Sequence, residues 1–134
     1  MNGDGNPASP DERYAAQLQS LACVERWGYA RLQACDVAVG HEVFSAGSAA
    51  DSPVFSQMRA NILNRTVVRC ANPTASFGAA ILAARTALFG GDFNAAARSM
   101  TRILKSYPPQ LAAVEKFERA YQLFRAACAR HGFE

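Results

Sequence analysis

An all-α fold, a single globular helical bundle, is what the sequence predicts, and three observations predict it. Apolar residues recur at three- and four-residue steps along most of the chain. Helix-opening Ser-Pro pairs stand at Ser9-Pro10 and Ser52-Pro53. No segment sustains the period-two alternation of a half-buried strand, and Thr66-Val67-Val68 is too short to outweigh its helical flanks. The 134 residues suffice for one core and are too few for two. Residues 9–134 are therefore read as one domain and residues 1–8 as a disordered tail.

The first helix opens on a Ser9 cap, with Pro10 at its first position and Asp11 and Glu12 facing the positive end of the dipole. Tyr14, Leu18, Leu21, Val24 and Trp27 give it one apolar face that runs to about Ala34, interrupted by Gly28. Gly, Ser and Ala dominate from Gly40 to Ser52, which reads as a mobile loop. After Ser52-Pro53, Phe55, Met58 and Ile62 stripe a second helix expected to end near Arg69. Asn72-Pro73-Thr74 punctuates the chain, and Phe77, Ile81, Leu82, Ala84, Leu88 and Phe89 make a third apolar segment.

Gly90-Gly91 then turns a corner in the left-handed conformation that glycine reaches at low cost, and Asp92 caps a fourth helix. Ala96, Met100, Ile103 and Tyr107 carry that helix to the stop at Pro108-Pro109. Val114, Phe117, Tyr121, Phe124 and Cys128 form the regular stripe of the last helix, before Gly132.

Composition excludes several functions. The 14 Lys and Arg are scattered and the net charge is only +3, so no nucleic-acid partner is expected. No apolar run approaches the ~20 residues that span a bilayer, so no integral membrane anchor is expected and the chain reads as cytoplasmic. Cys23, Cys35, Cys70 and Cys128 lie far apart and read as small buried hydrophobes, while His41 and His131 have no spaced partner. No metal, no cofactor and no catalytic constellation are expected, and the chain is read as a non-enzyme. Asp36, His41 and Glu42 are the one close set of titratable groups, and a solvated loop explains them.

Three short stretches resemble motifs of the Bcl (B-cell lymphoma two) family of apoptosis regulators, in the family's order. Gly28-Tyr29 resembles the end of its fourth homology motif, Leu88 to Asn94 its first, and Arg130 to Glu134 its second. The resemblance implies a Bcl-like bundle with a central apolar helical hairpin wrapped by amphipathic helices. It also implies a groove that receives the amphipathic death-motif helix of pro-apoptotic relatives. Phe55, Met58, Ile62, Phe77, Ile81, Ala84, Leu88 and Phe89 would supply floor and walls by that resemblance, and Asn94 the polar contact.

The positions of the family's Trp, Gly and Arg hold Ala95, Ala96 and Ala97, and Arg98 stands one residue later, about 100° further round the helix. The second helix lacks the family's Gly-Asp and carries Arg59-Ala60 instead, which favours a survival-promoting role. Eroded motifs and the missing tail resemble virus-encoded members, active in the host cytosol and peripheral at mitochondria through their partners. An exposed groove also predicts a homodimer. A tetratricopeptide-like scaffold is the alternative, resting on Gly91-Asp92-Phe93, Ala96, Ile103 and Pro108, although no 34-residue partner repeat is present.

Overall fold

Val67 and Val68 are both fully buried, on opposite faces of one strand, and that pair decides the architecture. The computed structural model describes residues 9–133, so the tail expected over 1–8 lies outside the described residues, as does Glu134. In chain order the elements are α1 (Pro10–Ala34), β1 (Glu42–Ser45), a 3-10 turn (Ser48–Asp51), α2 (Pro53–Leu63) and β2 (Thr66–Cys70). They continue with α3 (Ala75–Leu88), α4 (Phe93–Met100), β3 (Ile103–Tyr107) and α5 (Leu111–Arg130). The sheet has the order β1-β2-β3, with β1 and β2 parallel and β2 and β3 antiparallel. The fold is α/β, which corrects the all-α expectation and with it the Bcl-like helical domain over 9–134.

Helix starts follow the capping chemistry. Ser9 accepts from the Glu12 N–H while Glu12 reaches back to the Ser9 N–H, a complete capping box. Ser52, Thr74 and Asp92 cap α2, α3 and α4 through their side-chain oxygens, without the reciprocal bond. Gly28 does not interrupt α1, which runs through it to Ala34. Gly90 and Gly91 do take positive φ values and turn α3 into α4.

The strands replace three expected features. The helix expected to reach Arg69 ends at Leu63 because Asn64 adopts the left-handed conformation, φ 50° and ψ 46°, which Asn tolerates better than most residues. Thr66–Cys70 then pairs on both edges, with Val67 opposite Val43 and Tyr107. The loop expected over 40–52 contains β1 and the 3-10 turn. The fourth helix ends at Met100, where Thr101 is extended, and Ile103–Tyr107 continues as β3. Its apolar spacing suits a helix, but pairing with β2 satisfies a whole row of backbone groups instead.

The central element is α2, not an apolar hairpin. One side of it, Phe55 and Ile62, packs with Ala22, Cys23 and Tyr121 from α1 and α5. The other side, Ala60 and Leu63, packs on Val43, Val67 and Tyr107 of the sheet. Burial on both sides encloses polar side chains that need partners. Arg59 supplies its own: Nε and Nη2 donate to the two carboxylate oxygens of Glu25 at 2.8 and 2.7 Å, and Nη1 donates to Ser45 Oγ at 2.6 Å. The hydrogen bonds to Glu25 hold the Arg59 pKa above its usual value against the cost of burial. One guanidinium thus locks α1, α2 and β1 together. Asn61 Oδ1 similarly accepts from the Gln110 N–H at 2.9 Å and fixes the start of α5.

Candidate functional site

Alternation along the strands sends Phe44, Val68 and Cys70 to the sheet face opposite α2, and a β-bulge, where Arg69 pairs with Lys105 but Cys70 with Ile103, brings Ile103 to the same face. Over that face stands the α3–α4 hairpin, and between them lies a cleft of about 710 Å³. Phe44, Phe77, Ile81, Phe93 and Ile103 make its walls largely apolar, and Asn72, Thr74, Arg98 and Thr101 add polar groups at its margins. Burial raises the pKa of the Cys70 thiol, so it stays protonated at neutral pH and acts as wall.

The cleft sits where an open sheet usually binds its ligand. The parallel strands β1 and β2 both end there, with Ser45-Ala46 and Asn72-Pro73-Thr74 at its mouth. Gly47 joins those two loops: its N–H donates to the Pro73 carbonyl, and its φ of 79° with ψ of −177° lies in a region open essentially to glycine alone. Arg69 Nη2 pairs with Asp51 Oδ1 and holds the 3-10 turn against β2. The N-terminus of α3 borders the same mouth through Thr74, Phe77 and Gly78, bringing the positive end of a 14-residue helix to it. The Ala75 and Ser76 N–H groups have no acceptor among the described residues.

Of the residues expected to line a helix-binding groove, Phe77, Ile81 and Arg98 meet in this cleft. Phe55 and Ile62 lie in the α1–α2–α5 core, with Met58 packed against it, so they face away from the cleft. Ala84 is buried, and Phe89 is half-buried at the C-terminal end of α3. Leu88 is 76% exposed and Asn94 is also exposed, so neither forms a floor or a register contact. Phe44, Thr74, Phe93 and Ile103 complete the cleft and were not anticipated. Of these only Thr74 carries a local signal, a β-branched pair followed within a few residues by a helix cap, Val67-Val68 to Thr74, which marks a strand leading into a helix N-terminus.

Asp36, His41 and Glu42 form no catalytic set. Asp36 takes a positive φ beyond the end of α1, Glu42 is exposed on β1, and His41 lies at the amino end of the sheet. Cys23 and Cys70 are buried as expected, whereas Cys35 is exposed and Cys128 half-buried. Among the described residues no group of His, Cys, Asp and Glu is placed to hold a metal ion, and no helix is long and apolar enough to cross a membrane.

The fold has counterparts among solved sugar kinases. The xylulose kinase of Rhodospirillum rubrum matches over 98% of this chain and 27% of its own, with a TM-score of 0.80 and 24% identity. A ligand-bound xylulose kinase of Lactobacillus acidophilus matches over 70% of this chain and 19% of its own, TM-score 0.60, 20% identity. Gluconate kinase of the same organism matches over 71% and 19%, TM-score 0.61, 17% identity. The chain thus spans about a quarter of the first of these kinases or less of the others, and at such identities the likeness is one of fold. A comparison with curated protein sequences found no match.

These findings overturn the Bcl reading: the virus-encoded apoptosis inhibitor, the pro-apoptotic helix as partner and the non-enzyme assignment; the mitochondrial association rested on that reading and is left without support. They equally displace the tetratricopeptide-like scaffold, since that repeat has no sheet. The family model for the C-terminal domain of the FGGY carbohydrate kinases matches residues 1–87, well over half of the sequence, and the chain belongs to that family.

Proposed function

We propose that this chain serves as the C-terminal domain of a carbohydrate kinase and that the cleft between the sheet and the α3–α4 hairpin holds the nucleotide of the phosphoryl donor. The observation that carries this reading is the cleft's position at the carboxyl ends of β1 and β2, beside the α3 N-terminus. A planar base suits the apolar walls of Phe44, Phe77 and Ile103. The phosphates suit the mouth, where the free Ala75 and Ser76 N–H groups and the helix dipole meet negative charge.

The lining holds neither a carboxylate nor a histidine among the described residues. In the kinase reaction a sugar hydroxyl attacks the terminal phosphoryl group, the bond to the nucleoside diphosphate breaks, and the hydroxyl proton leaves to a base. That base and the sugar-binding groups therefore lie outside this cleft, consistent with a match to only 27% of the R. rubrum xylulose kinase. The domain's own part is to bind and aim the donor.

Calorimetric titration with ADP tests the reading. The chain is expected to bind ADP saturably, and Phe77→Glu, which sets a negative charge on the apolar wall, is expected to weaken binding about tenfold or more. Absence of saturable binding, or equal binding by folded Phe77→Glu, would sink it.

A further inference from the structure

At the opposite end of the sheet, where β1 and β2 begin, lies a second and chemically different cavity of about 430 Å³. Four parts of the chain converge on it: Arg26 and Tyr29 from α1, His41 ahead of β1, Asn64 and Arg65 between α2 and β2, and Tyr121 from α5. None of its lining residues is acidic, and three of them are basic. We infer that this cavity is an anion site that takes the phosphate group of a small phosphate monoester, separate from the nucleotide cleft.

The basic groups are held in place by the fold rather than by the ligand. Arg65 Nη1 donates to the carbonyls of Val39 and Gly40, which orients its guanidinium, and its Nε and Nη2 find no acceptor among the described residues. Arg26 is anchored from one nitrogen, Nη2, by Glu118 at 2.6 Å and lies 4.0 Å over the Tyr121 ring. Glu25, also on α1, is committed to Nε and Nη2 of Arg59. Two forked guanidinium groups with free donors suit the oxygens of a phosphate, and pre-orientation lowers the entropy lost on binding.

The left-handed turn at Asn64 is what brings Arg65 back to the rim, so the feature that ends α2 also builds the site. The cavity exceeds the volume of a free phosphate, leaving room beside the Tyr29 and Tyr121 rings for the organic part of an ester.

Isothermal titration of the full chain with inorganic phosphate and, separately, with glycerol 3-phosphate tests the inference and separates the two sources of the group. Glycerol 3-phosphate is expected to bind more tightly than phosphate, and Arg65→Met to weaken both about tenfold or more while Arg65→Lys restores part of the loss. Because Arg65 also braces the loop at Val39-Gly40, His41→Gln serves as a second variant; it sits on an exposed residue and is expected to weaken binding a few-fold. Arg98→Ala, in the other cleft, is expected to change neither titration. Phosphate binding alone, no binding of either probe, binding unaffected by both Arg65→Met and His41→Gln, or binding lost in Arg98→Ala would each overturn it.

Discussion

Ile62→Ala is expected to lower stability by about 3–4 kcal/mol, the usual cost of emptying a fully enclosed aliphatic site. Ile62 is completely buried, among Phe55, Cys23 and Tyr121, where α1, α2 and α5 meet. The loss has two parts: the transfer of its methyl and methylene groups, and the void left because three helices cannot close onto one small residue. Leu88→Ala is the informative contrast. Leu88 is 76% exposed, so its truncation is expected to shift stability by less than about 0.5 kcal/mol. Urea denaturation of both variants checks the pair. A loss below about 1 kcal/mol at Ile62 would mean that α2 is not the central helix.

Arg59→Met is expected to cost about 2–3 kcal/mol, through electrostatics rather than volume. Methionine can fill much of the same space, but the substitution strips Glu25 of both its hydrogen bonds and leaves Ser45 Oγ without its donor. A fully enclosed pair would lose about 3–5 kcal/mol on breaking. The Glu25 side chain keeps 26% of its exposure, so water recovers part of that loss. The second change, Glu25→Leu, removes the stranded charge and is expected to return much of the stability, since an apolar pair can replace an ionic one at little cost. A double-mutant cycle by urea denaturation gives the coupling. An effect of Arg59→Met below about 0.5 kcal/mol, or strictly additive changes, would show that the pair does not join α1 to α2 and β1.

The starts of α1, α2 and α4 were legible because capping is local chemistry: Ser9, Ser52 and Asp92 each satisfy N–H groups within a few residues of themselves. The sheet was not legible, because its signals depend on what covers it. Val67 and Val68 are buried on both faces, so β2 shows no alternation to read. β1 has only four residues, set in a stretch of Gly, Ser and Ala. In β3, Ile103 and Tyr107 stand four apart and so extend the apparent stripe of α4, although Thr101 has already left the helix. Propensity lost to tertiary pairing there.

The site was half legible for the same reason. Phe77, Ile81 and Arg98 lie on the hairpin that covers the cleft; helical spacing singles out Phe77 and Ile81 as an apolar stripe, whereas Arg98 enters only through the Bcl resemblance. Phe44 and Ile103 come from the strands that were missed. The Gly90-Gly91-Asp92 corner misled because its chemistry is generic: two positive-φ glycines and an aspartate cap end one helix and start the next in folds of any class. Motif order alone could not distinguish a groove rim from an ordinary helical turn.

A two-dimensional amide NMR titration with ADP measures the central claim most directly, because it locates the nucleotide as well as detecting it. Saturable shifts are expected at Ala46, Gly47, Asn72, Ala75, Ser76 and Gly78, around the carboxyl ends of β1 and β2 and the start of α3. Shifts confined instead to His41, Asn64 and Arg65, or no shifts at millimolar ADP, would contradict a nucleotide cleft between the sheet and the α3–α4 hairpin.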